Sequence, residues 1–267
     1  MRLSRLIPTT LLLFVVAGCG LLPDQVDETK DWTAAQLYAE AKENLDDGDY
    51  EEAIKLYETL QSRYPFGRYA QQAQIEIAYA YYRYDEPEQA IAACDRFIKL
   101  HPRHPNVDYV YYLKGLANFN RGFGVLERFI PSRNSERDPG ASSQSFYDFE
   151  ELVRKFPDSR YAEDARRRMV YLRNNLAEYE VAVARYYVRR GAHIAALNRA
   201  KYVIEHYQRT PAVPEALEIA TTVYRELGMD DLAADSQRVL LANYPDRAQA
   251  LAADDGGWWP FRWQLFD

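Results

Sequence analysis

Cysteine is almost missing: two residues in 267, Cys19 and Cys94, which excludes a disulfide-stapled scaffold. The longest apolar core near the N-terminus, Leu11 to Val16, is far too short to cross a bilayer as a helix. An excess of base is missing too. Thirty-three lysines and arginines face 40 acids, a formal charge of −7, which argues against a nucleic-acid partner whose phosphates need neutralising. No Gly-rich phosphate loop and no Ser-His-Asp constellation is present, so the usual signatures of phosphoryl or acyl chemistry are absent.

What is present begins at the N-terminus. Arg2 and Arg5 precede the short apolar core, and small residues follow it in Val16-Ala17-Gly18-Cys19. This order resembles a bacterial lipoprotein signal, residues 1–18, with Cys19 acylated as the new N-terminus. Glycine at position 20, where similar lipoproteins retained in the inner membrane carry aspartate, favours the outer membrane. Several acyl chains anchor stably, at roughly 0.8 kcal/mol per buried methylene. Residues 19–32 have no hydrophobic periodicity and read as a lipidated tether with a reach of about 45 Å. Removing the signal leaves 31 basic against 40 acidic residues, a charge of −9. Cys94 is then the one free thiol.

The body of the chain repeats itself. Ala53, Tyr57, Leu60 and Pro65 stand at spacings of four, three and five. The ladder recurs as Ala90, Cys94, Phe97 and Pro102, and as Ser145, Phe149, Leu152 and Pro157. It returns as Ala196, Ala200 and Val203, then as Ala233, Gln237, Leu240 and Pro245. Twelve residues before four of these first positions stand Ala41, Ala78, Ala184 and Thr221, and Gly115 takes that place in the third copy. Where nothing intervenes the period is 37 residues. Small residues let antiparallel helices approach closely, and proline after a last turn stops a helix. The pattern resembles the tetratricopeptide repeat and predicts an all-α superhelix of about five helix-turn-helix units. Thr33 with Gln36, and Asp49 with Glu52, match capping boxes. Gly48, Gly191 and Gly228 fall in three of the turns within repeats.

Two departures organise the chain. The third repeat carries about 18 extra residues, roughly 121–140. Insertions of this kind loop out on one face of a solenoid. From Asp158 to Arg190 there is neither glycine nor proline, and Ala165, Met169, Leu172, Leu176, Tyr179, Val183 and Tyr186 form the seam of one long helix. That helix is expected to link an N-terminal group (33–157) to a C-terminal pair within 158–246, followed by an acidic and aromatic tail, 247–267.

No credible active site emerges. His101 and His104 lie at a proline-punctuated helix end without a third ligand, which reads as a turn. Asp46-Asp47-Gly48-Asp49 lacks the remaining ligands of a calcium loop. Arg166, Arg167 and Arg168 read as a solvated face, and Cys94 occupies an alanine-like packing slot. What remains is surface. Counting along the first helices of the repeats places Tyr38, Gln72, Ile75, Tyr79, Tyr82, Tyr109, Tyr112 and Phe119 toward the concave groove. A tyrosine-lined groove suits an extended peptide bearing aromatic side chains, because rings give contact area at low entropic cost.

The lipobox, the five repeats, the insertion in the third and the string Arg63-Tyr64-Pro65-Phe66-Gly67-Arg68-Tyr69-Ala70-Gln71-Gln72 together resemble the BamD family. Also similar are Tyr79-Ala80-Tyr81-Tyr82, Asp95-Arg96-Phe97-Ile98, His104 to Tyr109, Arg137-Asp138-Pro139, Ala184-Arg185-Tyr186-Tyr187 and Asn198-Arg199. The resemblance spans roughly residues 19–246. It implies a lipoprotein at the periplasmic face of the outer membrane, within the machinery that assembles β-barrels. It further implies recognition of unfolded barrel proteins by the N-terminal repeats. The C-terminal repeats would dock on the POTRA domains of BamA and, in many species, on BamC. Arg199, flanked by Ala195, Ala196 and Ala200, is the residue expected to pair with a partner carboxylate. No cofactor is implied beyond the lipid on Cys19, and no catalysis. The aromatic tail Trp258 to Trp263 has no counterpart in this resemblance. A periplasmic scaffold of the Tol-associated type is the second reading; such proteins carry a coiled-coil segment and no lipobox. A lytic transglycosylase would need a globular catalytic domain, for which no residues remain.

Overall fold

The computed structural model describes residues 29–121 and 139–253. All regular elements among the described residues are α-helices. They are α1 Ala34–Asp47, α2 Tyr50–Arg63, α3 Arg68–Arg83, α4 Pro87–Leu100, α5 Val107–Arg121, α6 Pro139–Lys155, α7 Ala162–Arg189, α8 His193–His206, α9 Val213–Glu226, α10 Asp230–Asn243 and α11 Pro245–Ala253. Each helix packs on the next in chain order, and short connections make such neighbours antiparallel. The first helices of successive repeats also touch, α1 with α3, α3 with α5 and α7 with α9. They form the inner layer, with the second helices outside. This is a tetratricopeptide fold of five helix pairs closed by α11.

Local chemistry sets the helix ends. Thr33 accepts from the Gln36 backbone N–H while the Gln36 side chain accepts from the Thr33 backbone, a reciprocal cap of about 1 kcal/mol. Asp49 caps α2 by accepting from Glu52 N–H. The α1–α2 turn needs a left-handed residue, which Gly48 supplies at φ +88°. In the second repeat Asp85 takes the same place at φ +66°, a conformation that aspartate tolerates better than most side chains.

The small-residue ladder sits at the helix crossings. Ala41, Ala53, Ala78, Ala90, Ala184 and Ala196 are all fully buried. The third repeat is tighter still. A Cβ on Gly115 would lie 2.5 Å from the Phe149 ring, and Ser145 Oγ donates to the Gly115 carbonyl at 2.9 Å. Glycine is required there for contact rather than for turning.

The long helix α7 serves two cores. Ala165 and Leu172 bury with α3–α6, whereas Ala177, Val181 and Ala184 bury with α8–α11. The expected seam therefore breaks in the middle of the helix: Tyr179 and Val183 are half-buried and Tyr186 is exposed. The buried stripe moves to a different face because the second half of α7 packs on different partners. Residues 247–253, counted above with the tail, continue α11, which buries Ala248 and sets Arg247 against Glu218 of α9. The insertion falls largely on 122–138 and the aromatic tail on 254–267, outside the described residues.

Candidate functional site

On α3, Gln72, Glu76 and Tyr79 follow one another at spacings of four and three, which places them on one helical face. That face looks into the inner layer. Glu76 is its polar centre: Gln72 Nε2 donates to Glu76 Oε1 at 2.9 Å and the Tyr38 hydroxyl donates to the same oxygen at 3.3 Å. The Tyr38 ring lies 5.6 Å from Tyr57 and 5.5 Å from Tyr69. Burial, and then the Glu76 charge, push the Tyr38 hydroxyl well above the usual tyrosine range, so it remains a neutral donor.

Beside this face a cavity of about 530 Å³ opens between α3, α5 and the loop before α7. Gln72, Ile75, Glu76, Tyr79, Tyr109 and Tyr161 line much of it. Tyr161 joins the elements: its ring is 5.5 Å from Tyr109 and stacks on Tyr112 at 4.9 Å and 17°. The Tyr112 hydroxyl donates to Asp164 Oδ2 at 2.7 Å, and Arg168 Nε donates to the same oxygen at 2.6 Å. Partial burial would raise the Asp164 carboxyl, but the hydrogen bonds from Arg168 and Tyr112 outweigh it and hold the group below its ordinary range. Arg168 in turn lies 5.0 Å over the Phe119 ring, extending the network along the groove.

The eight residues expected in the groove thus divide. Gln72, Tyr79 and Tyr109 border the cavity and are partly accessible. Ile75 also borders it but is only 2% exposed, so it is wall and core rather than contact surface. Tyr112 and Phe119 are tied to Tyr161, Asp164 and Arg168. Tyr38 props Glu76, and the Tyr82 hydroxyl accepts from Asn120 Nδ2 at 3.1 Å. Two contributors escaped the sequence reading. Glu76 could have been found from its helical spacing to Gln72 and Tyr79. Tyr161 lies in a connection outside the repeat ladder, and only folding brings it to Tyr109 and Tyr112.

Elsewhere the structure places the remaining candidates individually. Arg199 on α8 puts Nη1 2.9 Å from Glu180 Oε2 of α7, with 44% of the arginine side chain exposed. His101 and His104 pack on Phe97, their ring centroids 5.0 and 5.2 Å from its own. Cys94 is fully buried, and burial pushes its thiol far above the range in which it would react. Cys19 lies outside the described residues. Ring faces, the Glu76 and Asp108 carboxylates and the Gln72 amide line this part of the groove.

The family described as "Outer membrane lipoprotein" (YfiO) matches residues 30–240. The "Outer membrane protein assembly factor BamD" of Neisseria meningitidis serogroup B is 44% identical over 97% of this chain and 99% of its own length. The chain belongs to the BamD family. The BamD protein of Vibrio cholerae is 38% identical over 87% of this chain and 95% of its own. That of Haemophilus influenzae is 31% identical over 86% of each. These BamD relatives are outer membrane protein assembly factors. No described helix is long and apolar enough to cross a membrane. A thermophilic repeat protein from Thermus thermophilus aligns over 83% of this chain and 98% of its own at 16% identity and a TM-score of 0.35. The repeat assignment rests on the helix pairs themselves.

Proposed function

We propose that this chain is a lipid-anchored assembly factor that holds unfolded β-barrel proteins in its N-terminal groove and docks on BamA through its C-terminal repeats. The observation that carries this reading is the cavity between α3, α5 and the start of α7, walled by Tyr79, Tyr109 and Tyr161 with Glu76 at its edge. An extended segment ending in aromatic side chains would find ring faces for its side chains. Its backbone N–H groups would find the Glu76 carboxylate and the Gln72 amide. Acylation at Cys19 would keep the protein at the periplasmic face of the outer membrane. Arg199 is the residue proposed to reach a carboxylate on the BamA POTRA domains: Glu180 engages one nitrogen of a guanidinium that offers five N–H donors, leaving others for a partner. BamC is a further partner of the same assembly.

Replacing Tyr79 and Tyr112 together by alanine tests the groove. Crosslinking to peptides with aromatic C-termini should weaken by about 2–4 kcal/mol, the range of paired hot spots. Tyr112 also stacks on Tyr161, so circular dichroism and the single Tyr79→Ala variant are measured alongside. Unchanged peptide capture by a normally folded double variant would leave these rings as packing alone.

A further inference from the structure

An array of antiparallel pairs gathers the loops between repeats at one end and the turns within repeats at the other. The loops that follow the first three repeats differ in charge from the turns within the first two. The between-repeat stretches 64–68, 101–106 and 156–161 carry exposed Arg68, Arg103 and Arg160 against one acid, Asp158. The within-repeat turns 46–49 and 84–88 carry Asp46, Asp47, Asp49, Asp85, Glu86 and Glu88 and no base. A helix of 14 residues separates the two ends by about 21 Å, against a screening length of ~8 Å at physiological salt. A chain of net negative charge therefore presents one locally basic end.

The basic end also exposes rings. Phe66 is 90% exposed and Tyr64 38%, in the loop where Gly67 turns at φ +98°. Arg68 and Arg160 lie 4.9 and 4.7 Å over the Tyr69 and Tyr161 rings, so each guanidinium is paired with an amphipathic ring. Arginine beside aromatics is the composition that suits a membrane interface. The described chain starts at this same end: the Tyr64 hydroxyl donates to the Trp32 carbonyl at 2.8 Å and Arg63 to Thr29. Ten residues separate Thr29 from Cys19, a reach of at most about 35 Å.

We infer that the rim formed by the loops that follow the first three repeats lies against an anionic phospholipid surface. The acidic turns point away from that surface, so charge segregation orients the superhelix as well as attracting it. The C-terminal repeats do not share the rim. Arg173 in the middle of α7 donates to the His206 carbonyl at 3.4 Å, which sets the α8–α9 loop back along the long helix. The peptide cavity does share it, since Asn106 and Arg160 belong to its wall. A segment held there would lie beside that lipid surface. This orientation rests on the proposed lipid anchor for its starting distance, and its charge and aromatic content stand apart from that anchor.

The test uses the full lipidated protein on vesicles of phosphatidylcholine alone or of equal parts phosphatidylcholine and phosphatidylglycerol. A nitroxide is placed at Ser62→Cys beside the rim or at Asp47→Cys at the opposite end, both exposed; buried Cys94 stays unlabelled. With phosphatidylglycerol, collisions of the Ser62 label with an aqueous nickel chelate should fall roughly threefold or more, while the Asp47 label is unchanged. Changing Arg68, Arg103 and Arg160 together to glutamate should abolish the fall. Equal water access at both labels, with the protein still floating on vesicles, overturns the rim alone. A protein that floats with neither vesicle overturns the anchor and the rim together.

Discussion

Around α2–α6 the core is built on rings, with Tyr57, Phe97, Tyr111 and Phe149 all buried, whereas around α8–α10 it is built on Ala196, Ala200, Ala216, Val203, Ile219 and Leu240. The difference shows in what each half leaves over. Rings of the N-terminal half extend to its inner face, where Tyr38 and Tyr112 need carboxylates for their hydroxyls. That need makes the groove a polar and aromatic network. The C-terminal half packs small aliphatic side chains closely and settles its charge in discrete pairs: Arg199 with Glu180, Arg185 with Glu215, Arg247 with Glu218. One half is a polar and aromatic network, the other a closely packed aliphatic one with its charges paired singly.

The largest effect is expected at Gly115. Alanine there would meet the Phe149 ring, so Gly115→Ala should cost about 3 kcal/mol in urea unfolding and loosen the groove half first. Hydrogen exchange that rises first in α8–α11 instead would reverse the assignment of which half it holds. Next is Arg247→Ala, which strips the partner from a Glu218 side chain only 2% exposed. Because Arg247 is itself 47% exposed, the expected loss is about 2 kcal/mol, below the usual range for a fully buried pair. The loss should appear as faster exchange in α9 and α11, and unaltered exchange there would discount the pair.

A smaller folding effect is expected at Arg199. Its pair with Glu180 is partly solvated, so Arg199→Glu should cost under about 1 kcal/mol of stability. Adding Glu180→Arg should restore the fold but not the co-purification of BamA that Arg199→Glu is expected to abolish. Recovery of BamA by the swapped pair would make the residue a purely internal strut. The finest effect is one of pH. Burial holds the Glu215 carboxyl above its ordinary range despite Arg185 at 3.4 Å. Between the unfolded and the raised folded pKa the native state binds more protons than the unfolded chain, so stability falls as pH rises through that window. The C-terminal repeats should therefore melt higher at about pH 5 than at neutrality, and Glu215→Gln should flatten that contribution. Identical pH profiles for the two proteins would remove Glu215 as its source.

Much of the fold was legible residue by residue, because tetratricopeptide pairing is written in short-range spacings. Ala41 to Ala53 measures one helix and its turn, and Gly48 marks that turn by its backbone freedom. Pro65 and Pro102 mark helix ends for the equally local reason that proline cannot continue a helix. The inner face was legible in part. Tyr79 and Tyr109 follow from counting along a helix, but Ile75 lies on the same count and is buried.

The sequence alone therefore determined that the chain is an all-α repeat protein, since caps, turns and close crossings each depend on a few neighbouring residues. Tertiary structure decided what those repeats expose. It moved the buried face of α7 between Leu172 and Ala177, brought Tyr161 onto Tyr109 and Tyr112, and turned Arg199 toward Glu180. These outcomes depend on how one repeat is rotated against the next. That rotation is the sum of many side-chain contacts between distant parts of the chain, and no local spacing encodes it.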